Sequence, residues 1–172
     1  MILLQVLQAF WFIAPAYAAN AFPPLVRGKH PLDFGKNLNK NRLFGDGKTL
    51  EGTIFGIAFG TFIGVMQMLI QPYIAKETGI IEMNLLLIIL ISSGAVVGDI
   101  LGAFTKRRFG IKRGDPAPLL DQLDFVVFAV VFASMIIVVP ANIVIILLFV
   151  TPPIHWIANL IGYSSGVKKT PW

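Results

Sequence analysis

Five apolar stretches, at about residues 3–25, 51–75, 83–104, 119–139 and 141–161, follow one another with only short polar segments between them. Each has roughly the 20 residues a helix needs to cross a hydrocarbon core of about 30 Å. In lipid every backbone N–H and C=O must be satisfied internally, and no period-two alternation marks a strand, so helices are the expected solution. The balance of the chain agrees: 56% of its 172 residues are hydrophobic, 13% are charged, and mean hydropathy is +0.77. A soluble globule of this size needs far more polar surface. The expected fold is all-α: a single polytopic membrane domain over residues 1–172, without linker or low-complexity segment.

The charges set an expected topology. Residues 26–50 carry Arg27, Lys29, Lys36, Lys40, Arg42 and Lys48, and residues 105–118 carry Lys106, Arg107, Arg108, Lys112 and Arg113. Cations gathered in short loops beside apolar runs follow the positive-inside rule and argue against a nucleic-acid role for the net charge of +5. No cation precedes Arg27, so Ala16-Tyr17-Ala18, although it resembles a signal-peptidase site, is read as part of a retained first span that Pro15 can kink. Five spans place the N-terminus outside and the C-terminus in the cytoplasm, with every Lys and Arg except Lys76 inside. If residues 125–150 formed one kinked helix, the count would drop to four and strand Lys168 and Lys169 outside. Thr151-Pro152-Pro153 is expected to break the last span or open a short interfacial helix.

Two glycine stripes, Gly52, Gly56, Gly60 and Gly64 in the second span and Gly94, Gly98 and Gly102 in the third, would let those two helices approach closely. Asp99 lies beside that seam. About 15 residues into its span, at 1.5 Å per residue, it sits about 22 Å from the outer end, near the inner face. Asp121 and Asp124, three apart in the first turn of the fourth span, point the same way from a helix. Helix capping and pairing with neighbouring arginines would explain those two alone. Three carboxylates at one depth beside a basic loop fit a divalent cation and a nucleotide phosphate better. The chain has no cysteine, and its two histidines are at positions 30 and 155, so hard oxygen ligands are what it offers a metal.

Gly45-Asp46-Gly47-Lys48-Thr49 looks like the end of a phosphate-binding P-loop, but the first glycine of that motif would fall on Arg42 and no strand precedes it. What remains is a smaller device: two glycines that leave backbone N–H groups accessible, a lysine, and Thr49 to cap the next helix. On spacing alone, an ordinary loop-to-helix junction with a snorkelling lysine is the better account. Glu51 has the same two readings, capping or metal and base chemistry. His155 and Asn159, four apart, suggest helix-helix hydrogen bonding.

These residues, taken together, resemble the archaeal relatives of the phosphatidate cytidylyltransferases, the CDP-archaeol synthase family. Pro31-Leu32-Asp33-Phe34-Gly35-Lys36 and residues 43–52 look like its first-loop signatures, and Lys48-Thr49-Leu50-Glu51-Gly52 is similar to the bacterial lysine-threonine-tryptophan-glutamate-glycine motif. Gly98-Asp99, Lys106-Arg107, the Asp121/Asp124 pair, and the ending His155, Asn159, Tyr163, Lys168 and Pro171-Trp172 follow in family order. Departures from the bacterial pattern are Ala103 in place of serine, Gln122 in place of arginine, and the lack of a proline-glycine-histidine-glycine run.

The resemblance implies transfer of CMP from CTP to 2,3-di-O-geranylgeranylglyceryl phosphate with Mg²⁺, giving a CDP-activated lipid and pyrophosphate at the cytoplasmic face of the cell membrane. On that reading Asp99, Asp121 and Asp124 bind the metal and, with Lys106, are catalytic. Gly45, Asp46, Gly47, Lys48, Thr49, Glu51, Lys106 and Arg107 hold the nucleotide. Two alternatives stand beside it: a cytidylyltransferase acting on diacyl phosphatidate, and a channel or transporter in which Asp99 lines an ion path.

Overall fold

The computed structural model describes residues 2–38, 40–167 and 170–171, with the side chains of residues 75–77 left out. Lys168, Lys169 and Trp172 of the C-terminal expectation therefore lie outside the described residues, as do the side chains of Lys76 and Glu77. The chain forms α1 (Ile2–Ala21), α2 (Pro23–Val26), β1 (Asn37–Leu38), β2 (Asn41–Arg42), α3 (Leu50–Thr78), α4 (Leu85–Arg108), α5 (Leu120–Ala133) and α6 (Ala141–Ser164).

Among the described residues, four segments are long and apolar enough to cross a membrane: residues 2–26 (α1 with α2), 50–74 of α3, α4 and α6. The helix expected over residues 119–139 is only 14 residues long and ends at Ala133. Residues 134–139 leave the helix before Pro140 precedes α6. The Pro152-Pro153 break expected from the sequence does not occur either, because α6 runs unbroken through both prolines. Nor is the chain free of strand: β1 and β2 pair antiparallel, with Asn37 opposite Arg42 and Leu38 opposite Asn41. Two-residue strands carry no readable alternation, so the sequence hides them.

The first helix is central. Ala9, Phe12, Ile13, Ala16 and Ala19 of α1 are buried against α3, α4, α5 and α6 together with Leu87, Ile88, Ile91, Phe125, Ala129 and Leu147. Pro15 cannot donate to the carbonyl four residues back, that of Trp11. Gln67 Nε2 of α3 donates to this oxygen at 2.7 Å, so the orphan is satisfied from a neighbouring helix. Tyr17 and Thr151 share a hydroxyl hydrogen bond of 2.8 Å between α1 and α6.

The α3 stripe meets α4 as the spacing suggested, whereas the α4 stripe has a different partner. A Cβ at Gly60 of α3 would lie 2.6 Å from the Pro15 carbonyl oxygen and 2.7 Å from Ser92 Oγ, so this stripe seats α1 as well as α4. The α4 stripe turns to α5 instead of α3: a Cβ at Gly94 would lie 2.5 Å from the Phe128 carbonyl oxygen, and Gly98 and Gly102 back directly onto Asp124. That contact sets one acid of α5 against the helix carrying Asp99.

Candidate functional site

At the end of the bundle where α3 starts and α4 finishes, residues 27–49 form a cap built around one carboxylate. Asp33 is 2% exposed. Its oxygens accept the backbone N–H groups of Gly35 (3.1 Å), Phe44 (3.2 Å) and Gly45 (3.0 Å). Arg42 donates to it from Nε at 3.1 Å and again from Nη2, while Arg42 Nη1 reaches Asp46 at 2.7 Å. The Arg42 guanidinium, more than the three amides, holds the Asp33 carboxyl well below the ordinary carboxylate range, against the opposing effect of burial. Arg42 is raised in turn, chiefly by Asp33.

The same cap is pinned to both long helices. Leu32 N–H donates to the Lys48 carbonyl (2.8 Å) and Leu50 N–H to that of His30 (2.9 Å). Glu51 accepts the N–H groups of Lys29 and His30 at 3.2 Å each and pairs with His30 Nδ1 at 2.5 Å. Thr49 Oγ1 accepts the Gly52 N–H at 3.1 Å, the cap expected from the sequence. On the other side Arg108 donates to the Leu38 (2.8 Å) and Arg42 (2.6 Å) carbonyls, and Asn41 Nδ2 donates to the Arg107 carbonyl at 3.0 Å in the last turn of α4. That carbonyl is one of those an α-helix cannot satisfy itself.

This scaffold presents the turn at Gly45-Asp46-Gly47-Lys48. Gly45 has φ +89°, which a side chain would resist. Arg107 Nη1 lies 3.5 Å from where a Cβ on Gly45 would be, and Arg113 Nε lies 3.4 Å from the same position on Gly47. Neither arginine forms an ion pair among the described residues.

Below the turn, Lys48 Nζ reaches Asp99 Oδ2 of α4 at 2.5 Å. Lys106 of α4 pairs with Asp121 of α5 at the same distance, and Asp121 also accepts the Ala117 N–H at 2.9 Å. Asp124, one turn further along α5, has no ion-pair partner among the described residues and lies within electrostatic reach of Asp99, Asp121 and Lys48. The structure thus brings together Gly45, Gly47, Lys48, Asp99, Lys106, Arg107, Asp121 and Asp124. Asp46, Thr49 and Glu51 stand at the rim, with their side chains bound to the protein itself. Sequence reasoning missed Asp33, Arg108 and Arg113. Each had a signal: Arg108 and Arg113 are cations of the basic loop, and Asp33 lies in the first-loop signature.

Two hollows adjoin this centre. One, about 440 Å³, runs between α4 and α5, is walled by Leu101, Thr105, Leu119, Leu123, Val127 and Phe128, and ends at Gly102 and Asp124. The other, about 210 Å³, lies between the basic loop and α6, where Asp121 and Gln122 face His155 and Asn159. His155 Nδ1 and Asn159 Nδ2 are 3.2 Å apart within α6, a contact inside one helix.

Among the described residues no three Asp, Glu or His side chains stand close enough together to hold a metal as arranged. The donor chemistry nevertheless fits a hard divalent cation: Asp99, Asp121 and Asp124 are oxygen ligands, and two of them already hold a positive charge in the form of a lysine.

Fold and site together define a multi-pass helical membrane protein with a polar acid-and-lysine centre capped by a glycine turn at one end of its bundle. A family model described as CarS-like CDP-archaeol synthase matches residues 1–172, and the chain belongs to that family. It is 45% identical to the CDP-archaeol synthase of Pyrococcus horikoshii over 98% of both chains, and 45% identical to that of Thermococcus onnurineus over the full length of both. The Methanococcus maripaludis CDP-archaeol synthase is 43% identical over 99% of each. Among solved structures, an intramembrane enzyme for archaeal membrane lipids biosynthesis superposes with a TM-score of 0.79 at 36% identity, covering 90% of this chain and 94% of its own.

Proposed function

We propose that the protein transfers CMP from CTP to the phosphate of an isoprenoid ether lipid, of the 2,3-di-O-geranylgeranylglyceryl phosphate type, releasing pyrophosphate. Family membership sets the reaction, and one observation carries the assignment of its site: the lysine of the glycine turn is in direct contact with Asp99 of α4 and within electrostatic reach of Asp124 of α5. In this reaction a lipid phosphate oxygen forms a bond to the α-phosphorus as the bond to the pyrophosphate oxygen breaks. The attacking phosphate is already ionised at neutral pH, so it has no proton to surrender.

Lys48, Lys106, Arg107 and the open backbone of Gly45 and Gly47 hold the nucleotide phosphates, and Lys106 stabilises charge on the departing pyrophosphate. Asp99, Asp121 and Asp124 would hold Mg²⁺, which supplies charge neutralisation on the phosphates when bound. Asp46, Thr49 and Glu51 serve the nucleotide by shaping the turn that meets it. The groove between α4 and α5 supports lateral entry of the lipid, because apolar walls lead directly to Asp124. Most of the catalytic effect on this reading is positioning of two charged reactants.

The positive-inside pattern of the two basic loops supports a cytoplasmic site, five crossings, the N-terminus outside and the C-terminus inside. The 14 residues of α5 rise about 21 Å, and on this reading the non-helical residues 134–139 make up the remainder of a crossing. Transfer from labelled CTP to competing isoprenoid and diacyl lipid phosphates, with Mg²⁺ present or chelated, tests the assignment. Absence of any lipid product would sink the enzyme reading in favour of a channel or transporter; preference for the diacyl lipid would transfer it to phosphatidate. Asp99→Asn is expected to abolish transfer, and near-normal turnover would remove the aspartate from the centre.

A further inference from the structure

The residues assigned to two different ligands are bound to each other. Lys48 and Lys106, which the proposed function gives to the phosphates, pair at 2.5 Å with Asp99 and Asp121, which it gives to the metal. Each pair also crosses a boundary between elements: the turn with α4, and α4 with α5. All four side chains are partly shielded, with relative exposures between 19% and 30%, so neither an ammonium nor a carboxylate can be left single without losing an interaction that water only partly replaces.

We propose that these two lysines act as displaceable counter-ions that keep the carboxylates closed to a divalent cation until nucleotide phosphates draw them away. Metal alone would have to evict both lysines and leave their charges unpaired. Nucleotide alone would recruit the lysines and leave the aspartates unpaired. When both bind, each charge exchanges one partner for another and none is stranded. Metal and CTP therefore bind with positive coupling, and by linkage each tightens the other by the same factor. Asp124, which forms no ion pair with a lysine among the described residues, is the carboxylate already open, and the exchange adds the other two to it. This inference rests on the proposed function, since it takes its two ligands from there.

The test is equilibrium binding of Mn²⁺ as a magnesium substitute, read from the free-ion paramagnetic resonance signal with the purified full-length protein in detergent. With no nucleotide present, the wild-type protein binds Mn²⁺ weakly, and CTP tightens it. Lys48→Met and Lys106→Met are each expected to tighten Mn²⁺ binding without CTP by about tenfold, the scale of one charge-assisted hydrogen bond, while weakening CTP. Both variants then show less coupling between the two ligands. A merely structural role for the lysines would weaken both ligands. Two variants guard against one that fails to fold. Unchanged or weaker Mn²⁺ binding in the folded variants would overturn the inference even if the wild-type protein makes CDP-lipid. Absence of CDP-lipid would defeat the functional reading separately, whatever the Mn²⁺ titration gives.

Discussion

Replacing Asp33 with Asn removes one negative charge and puts an amide donor where the structure supplies only donors. The Asp33 side chain is fully shielded, while Arg42 is 29% exposed. Breaking a buried, hydrogen-bonded ion pair costs about 3–5 kcal/mol, and the partial exposure of Arg42 places this one near the lower end. About 3 kcal/mol corresponds to roughly a hundredfold change in an equilibrium. The loss falls on the cap, because Asp33 contacts residues 35–45 and no transmembrane helix. Asp33→Asn is therefore expected to leave the melting temperature of the bundle in detergent nearly unchanged. Hydrogen exchange at the Phe44 and Gly45 amides should accelerate by up to about a hundredfold, with CTP affinity falling in parallel. The pH dependence follows from the depressed carboxyl: its stabilising contribution is present above the ordinary aspartate pKa and is lost only as pH falls through the lower folded value. The wild-type cap should thus keep its exchange protection to below about pH 4. If those amides stay protected in the variant and CTP binds within threefold of wild type, Asp33 does not organise the turn.

Other substitutions probe the bundle and the basic loop. Gln67→Leu should lower stability by about 1–3 kcal/mol by orphaning the Trp11 carbonyl, while activity per folded molecule is retained; calorimetry and a turnover assay read the two effects separately. Gly98→Ala forces a methyl to within 2.8 Å of the Asp124 carbonyl carbon and 2.9 Å of Phe125 Cα, so α5 must shift. A loss of about 1–3 kcal/mol in stability with a fall in kcat is expected, and an unaffected kcat would mean that Asp124 tolerates displacement. Arg113→Gln should raise the KM for CTP about tenfold with little change in melting temperature, since its guanidinium stands over the glycine turn and pairs with no carboxylate among the described residues. An unchanged KM would leave Arg113 outside the nucleotide site.

Much of the fold is legible because membrane helices are specified locally. Apolar length and flanking charge place α1, α3, α4 and α6 within a few residues of the stretches read from the sequence. The three acids and the turn lysine were likewise legible, because a charge at the end of an apolar run is costly unless it has a purpose. Thr49 capping α3 belongs to the same class, a contact made three residues away. The short α5 and the uninterrupted passage of α6 through Pro152 and Pro153 were not legible. There, packing against neighbouring helices overrode the local signals of apolar length and proline.

What the sequence determined by itself is thus a helical membrane protein with acids, lysines and a glycine turn near one face, since length, hydropathy and charge act along the chain. Which of these meet was decided by tertiary structure. Gly98 and Gly102 could have seated either neighbour, and only the bundle's packing gives them to α5 and so sets Asp124 against α4. Gln67 and the carbonyl it satisfies are 56 residues apart. Asp33 gathers its donors from residues 35–45 without any periodic mark, and Lys48 finds Asp99 51 residues on. Burial makes each of these contacts necessary, and burial is a property of the folded chain.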